Sequence, residues 1–292
     1  MTTTAPTVPQ RNAASARFRS AASQYRHHWP MLVPLAVVLL IAVFARLITP
    51  FDPERGAGSA SQPPSATNWF GTDSAGLDVF SRTIAAFQVD LPIALLTALF
   101  ATVIGIALGL VIGMSESSRG LRAWVGRGLA RLIDLMESIP AVVLGLVVVA
   151  MFGANATTLV TFMSVVLCAG QTRLTRTEVL RIRREAFVDA GRMAGESEFA
   201  LTIRHVLPNA AWPALQNSSV IFAISIILTA GLGFIGAGMP PPTPEWGGMI
   251  ASGASDALAG QWWSAAFPAA ALAATVSAFS AAANTVFGRP RA

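Results

Sequence analysis

The sequence predicts an all-α integral membrane protein with six transmembrane helices, and three observations carry that reading. Only 12% of its 292 residues are charged while 53% are hydrophobic, where a soluble chain carries about 25% charged residues. The mean hydropathy is +0.58, so the apolar surface needs hydrocarbon rather than water around it. The cations, finally, are sorted by side. All of them are arginine, and seventeen of the 20 fall on one side of the expected spans.

Six apolar runs approach the roughly 20 residues of helix that cross a bilayer: 31–49, 90–113, 129–152, 155–172, 210–236 and 262–287. Arg11, Arg17, Arg19 and Arg26 precede the first run. That basic start resembles a signal peptide, but no small-x-small cleavage pattern follows and five more runs do, which favours an uncleaved anchor. The organisation expected is a cytoplasmic tail 1–29, a first transmembrane helix 30–49 and an extracytoplasmic loop 50–88. A five-helix core 89–288 then contains a cytoplasmic loop 173–209 and an extracytoplasmic loop 237–261, and a short tail 289–292 closes the chain. With the N-terminus inside, only Arg46, Arg55 and Arg82 lie outside, a strong positive-inside signal. The basic balance is thus a topology device; a nucleic-acid footprint would gather it on one binding surface.

In the second run Ala101, Gly105, Gly109 and Gly113 recur every four residues, and small residues so spaced let two helices approach closely in lipid. In the third run Pro140 either kinks the helix or begins its apolar part. The fourth is short and is expected to continue as helix into Arg173 and Arg176. In the fifth, Ser218, Phe222, Ser225 and Thr229 share a partly polar face, which either lines a solute path or bonds to neighbouring helices. Asp134 and Glu137 are functional candidates as ionisable groups near membrane depth, but their place at the inner boundary beside Arg127 and Arg131 favours a structural ion pair. Asp90 is a gate or a solvated helix start, and its place at the outer mouth favours the second. Trp246, Trp262 and Trp263 are expected at the membrane interface, while His27 and His28 sit solvated at the inner membrane edge.

The loop 173–209 is the most polar stretch and reads as two short helices broken at Gly195. Phe187, Ala190, Gly191 and Ala194 fall at i, i+3, i+4 and i+7. Ser197 is placed to cap the second helix, with Glu198 against its positive end. Phe199 and Ile203 share its face, and Pro208 is expected to stop it. Such an elbow either fits a groove on another protein or lies as a connector on anionic lipid.

Several chemistries are excluded or disfavoured. Without lysine there is no G-x-x-x-x-G-K-[ST] phosphate loop, so any ATP-driven work falls to a partner. The lone Cys168 supports neither a disulfide framework nor a thiolate metal site; no metal ligand set is assigned. The three histidines, at 27, 28 and 205, lie outside the apolar runs, which leaves an intramembrane serine without a base.

The elbow resembles the cytoplasmic loop of ABC importer permeases, E-A-A-x3-G-x9-I-x-L-P. Asp189-Ala190-Gly191 stands in the E-A-A place, Gly195 follows after three residues, and nine more lead to His205-Val206-Leu207-Pro208. Asp, Gly and His replace Glu, Ala and Ile. Arg204 to Asn209 is similar to the R-H-I-L-P-N of peptide-type members. Gly71-Thr72-Asp73 with Gly76-Leu77-Asp78-Val79-Phe80-Ser81-Arg82 resembles their G-T-D-x-x-G-R-D-V-x-S-R segment, with Leu77 for Arg. Pro241-Pro242-Thr243-Pro244-Glu245-Trp246-Gly247 resembles their P-P-T-P-x-W-G loop. The resemblance covers about residues 30–288 and suits the second permease of a dipeptide or oligopeptide importer, in the bacterial plasma membrane.

It implies the type I permease fold and a non-catalytic subunit. It further implies a second homologous permease, two cytoplasmic ATPases that bind ATP and Mg, an extracytoplasmic binding protein, and no nucleic acid. Glu185, Asp189, Ala190, Gly191, Gly195, Ser197, Phe199, Ile203, His205, Leu207 and Pro208 would couple to the ATPases. His205 would contact the ATPase or cap the coupling helix. Nickel, opine and glutathione permeases share these motifs, and nickel import is the runner-up to peptides.

Overall fold

A computed structural model describes residues 29–116 and 120–287. The expected tails, with His27, His28 and the arginines at 119, 289 and 291, lie outside the described residues. After a 3-10 turn at Trp29–Leu32 come nine helices: α1 (Val33–Ile48), α2 (Val79–Glu116), α3 (Leu121–Glu137), α4 (Ala141–Phe152), α5 (Ala156–Ile182), α6 (Ala186–Met193), α7 (Glu198–Phe234), α8 (Trp246–Leu258) and α9 (Trp263–Phe287). Three of them, α2, α7 and α9, are each long and apolar enough to cross a bilayer, and α3 with α4 makes a fourth candidate. The shorter α1 is apolar except for Arg46 in its last turn.

Helix α2 is the axis of the molecule, lying along α5 and α7. The small-residue ladder explains the closeness. A Cβ on Gly109 would stand 2.6 Å from the Thr172 carbonyl oxygen, and one on Gly113 would stand 2.7 Å from Val179 Cγ1. Backbones this near gain dispersion and exclude lipid, which substitutes for hydrophobic drive between helices. A polar brace sits beside the ladder. The buried Gln171 amide donates to Thr102 Oγ1 at 2.9 Å and to the Ala214 carbonyl at 3.0 Å, tying α5 to α2 and α7. In hydrocarbon an amide must find partners inside the protein, and this one does.

Several expectations change here. The third run is not one helix: α3 and α4 meet at 88° across Ser138–Pro140, because proline cannot continue the α3 hydrogen-bond ladder. The loop 50–88 ends earlier than expected, since α2 starts at Val79. The loop 237–261 holds the helix α8. The fourth run does extend through Arg173 and Arg176, as far as Ile182. Pro208 does not stop its helix. A π turn over Thr202–Val206 puts the Leu207 N–H on the Thr202 carbonyl, and the helix runs on to Phe234. Proline is tolerated in the first turn after such a bulge, where the register has already shifted.

Candidate functional site

The elbow is built on an apolar anchor. Val188 of α6 and Val206 and Ala210 of α7 bury against Val179 and Ile182 of α5. α6 ends where Gly195 adopts φ +83°. The Glu196 N–H reaches the Gly191 carbonyl at 3.1 Å and the Gly195 N–H reaches Arg192 at 3.0 Å, a glycine-closed helix end. The Ser197 hydroxyl then accepts the Ala200 N–H at 3.2 Å, the expected cap. Gly191 lets the two arms close: a Cβ there would lie 2.6 Å from Leu201 Cδ2.

A net of ion pairs fixes the angle. Glu198 accepts Arg183 and Arg192 at 2.9 Å each, and Arg192 also meets Asp189 at 2.8 Å. The hydrogen bond from Arg192 to Glu198 holds the Arg192 pKa above its ordinary value. Glu185 pairs with Arg181 at 2.9 Å, and Glu196 faces His205 Nε2 at 3.4 Å. Leu207 is partly buried and Pro208 is exposed on the same shoulder. With its angle fixed from within, the elbow turns Phe187, Ala190, Met193, Phe199 and Ile203 to the outside; Phe199 is 77% exposed. The sequence singled out Phe187, Ala190, Phe199 and Ile203 but missed Met193 and the anchor. Val188, Leu201 and Val206 carry a weak signal as the apolar positions opposite the knobs.

The other end is closed. In the outer segment 71–82, Gly71 and Gly76 take φ of +73° and +76°. The Thr72 hydroxyl donates to the Ser59 carbonyl at 2.7 Å, and Asp73 accepts the Ala75 and Leu77 N–H groups at 2.9 Å. Burial pushes the Asp73 carboxyl up despite those two bonds. Asp78 accepts Asn68 Nδ2 and the Ser81 N–H, both at 2.8 Å. Arg82 joins the two outer motifs by donating to the Pro53 carbonyl at 2.9 Å and the Pro242 carbonyl at 3.1 Å. Pro241 forms a cis peptide with Pro242, and Pro244 leads to Glu245, whose buried carboxylate caps α8 by accepting the Gly248 N–H at 3.2 Å. Desolvation raises the Glu245 pKa. Gly247 brings α8 against α7, where a Cβ would lie 2.7 Å from Ala230 Cα.

Three outer expectations are overturned. Trp246 is fully buried, its Nε1 donating to the Thr83 carbonyl at 3.2 Å, and Trp263 is buried with Nε1 on the Thr72 carbonyl at 3.1 Å. Of the three tryptophans only Trp262 stands exposed. Asp90 is not solvated: it is buried and accepts the Trp246 N–H at 3.0 Å. At the inner boundary Asp134 and Glu137 pair with Arg173 of α5, the former at 3.2 Å, rather than with Arg127 or Arg131. Along α7, Phe222 stacks on Phe279 with centroids 3.7 Å apart, Thr229 bonds the Ser225 carbonyl, and the buried Ser225 hydroxyl has no hydrogen-bond partner among the described residues. Ser218 is partly exposed and bonds the Leu215 carbonyl.

Residues 101–289 match the family model described as "Binding-protein-dependent transport system inner membrane component". The glutathione transport system permease protein GsiD of Escherichia coli O6:K15:H31 (strain 536 / UPEC) is 33% identical over 259 residues, covering 87% of this chain and 83% of the relative. GsiD of Shigella boydii serotype 4 (strain Sb227) gives the same figures. The inward-facing MetNI methionine ABC transporter (CY5 native crystal form) superposes with a TM-score of 0.57 at 16% identity, over 68% of this chain and 91% of the transporter chain. That likeness is one of fold.

Proposed function

We propose, for a chain that belongs to the family of binding-protein-dependent transport system inner membrane components, the role of a pore-forming permease in an ATP-driven importer of small peptides. It is a multi-pass protein of the bacterial inner membrane. The observation that carries the reading is the elbow, whose angle is fixed from within while Phe187, Met193, Phe199 and Ile203 stay exposed. Apolar knobs held rigid on a polar loop fit a socket on another protein.

In this reading six spans cross the bilayer: α1, α2, α5, α7, α9 and the apolar α4, which the 88° bend turns into the membrane from α3, and both termini are cytoplasmic. A second permease closes the pore, and a binding protein delivers cargo to the outer cap. Two ATPases bind ATP and Mg and seat the elbow, so that their closure moves α7, into which the elbow runs without a break. Nucleotide shifts the pore equilibrium only as far as that seat differs between the two states. Of the expected path residues on α7, the partly exposed Ser218 stays a candidate, while Phe222, Ser225 and Thr229 are buried within the chain. Glutathione, the cargo in the name of a relative 33% identical, is itself a short peptide and sets the expected size class.

Proteoliposomes carrying the chain with its second permease, ATPases and binding protein test this directly. ATP-dependent uptake of labelled glutathione or dipeptides, lost with Phe199→Asp, is expected. Uptake of nickel in place of any peptide would overturn the cargo, and full uptake by Phe199→Asp would overturn the seat.

A further inference from the structure

Helix α3 has a face that neither the elbow nor the outer cap accounts for. Its inner side is made of small residues: Ala123, Gly126 and Ala130 are buried, and a Cβ on Gly126 would lie 2.9 Å from Ser115 Cβ at the end of α2. At 3.6 residues per turn, Leu121, Trp124, Val125, Leu132 and Leu135 fall on the opposite side, and all are exposed, Leu121 at 77% and Trp124 at 69%. Arg127 and Arg131 border this apolar strip on one edge and Arg122 on the other. None of the three has an ion-pair or hydrogen-bond partner among the described residues, and all are exposed. The apolar α4 leaves α3 at 88°, so where α4 runs into the bilayer α3 lies along its surface. The surface concerned is the arginine-rich one.

We infer that α3 is an interfacial binding strip for anionic phospholipid: its leucines and Trp124 enter the acyl boundary, and Arg122, Arg127 and Arg131 take the headgroup phosphates. An apolar ridge between two basic edges, with an aromatic at the rim, is the pattern of a helix lying in a charged membrane surface. A second permease would fit the strip less well. Three arginines without partners would require matching acids on that partner, whereas lipid phosphates supply anions along the whole helix. The inference is independent of the cargo.

Native mass spectrometry of the assembled importer, titrated with phosphatidylglycerol or phosphatidylcholine, tests it. The wild type should retain phosphatidylglycerol in preference, and R122Q/R127Q/R131Q should lose that preference by roughly fivefold per arginine. The charge-conserving R122K/R127K/R131K should keep it. Equal preference in the glutamine variant overturns the inference. So does loss of the second permease from that variant with the lipid preference unchanged, which would make α3 a protein interface. Should the glutamine variant fail to assemble, acyl-brominated phosphatidylglycerol decides with a conservative change. It should quench the wild type more than Trp124→Phe, and equal quenching contradicts the placement.

Discussion

The two ends of the molecule are finished differently. At the outer cap, Arg82 Nε aside, the polar groups of segment 71–82 and the tryptophans that close it are held from within: Arg82 on Pro53 and Pro242, Trp246 on Thr83 and Asp90, Trp263 on Thr72. At the elbow the ion pairs are likewise internal, but the apolar side chains point out, Phe199 foremost. Burial inside one chain stabilises that chain; an exposed rigid knob stabilises only what it docks on. The cap is thus a feature of the fold, and the elbow is proposed as one half of an interface.

The sharpest way to break that contrast is at Trp246. Trp246→Ala should cost about 3–5 kcal/mol of stability, because it empties a fully buried site; a melting shift in detergent no larger than that of a surface mutant would show that the cap is not a packed unit. Arg82→Met comes next. It leaves two carbonyls without their cationic donor, for about 2–3 kcal/mol, read by the same melt. Phe199→Ala should leave the melt within about 0.5 kcal/mol yet weaken ATPase retention by about 1–2 kcal/mol, the scale of an interface anchor. Pull-down with the ATPase subunits checks it; a large melting shift with intact retention would reverse the roles of the two ends.

The smallest effect is a pH slope. Burial raises the Glu245 pKa above its ordinary value of 4.5, so the folded state holds its proton to higher pH than the unfolded chain does. The contribution from this group is full below 4.5 and declines as pH rises through the folded value. Glu245→Gln should flatten that part of the stability–pH curve, seen by thermal melts across the acid-to-neutral range, and an unchanged slope would remove Glu245 from the account.

Much of this was legible in the residues. The Ala101–Gly113 ladder, the break at Gly195 and the Ser197 cap are local patterns whose physics needs no knowledge of the rest of the chain. What escaped depends on partners remote in sequence. Asp134 and Glu137 look paired with arginines one turn away, but α5 delivers Arg173 from 36 residues beyond Glu137. Trp246 and Trp263 have the composition of interface anchors, and only α2 and the outer loop, folding over them, bury them. Pro208 reads as a stop because the π turn that absorbs it has no sequence signature. Met114, Thr202 and Arg183, drawn together beneath the elbow, gave no signal either.

The central claim is that the elbow sits in a socket of an ATPase. The chain has one native thiol, Cys168, which is buried, so a Phe199→Cys substitution provides one addressable site. In the assembled importer a short bifunctional cross-linker at that position should capture an ATPase subunit and protect the thiol from a water-soluble maleimide. Rapid maleimide labelling of Cys at 199 in the intact complex, with no cross-link formed, would contradict the account.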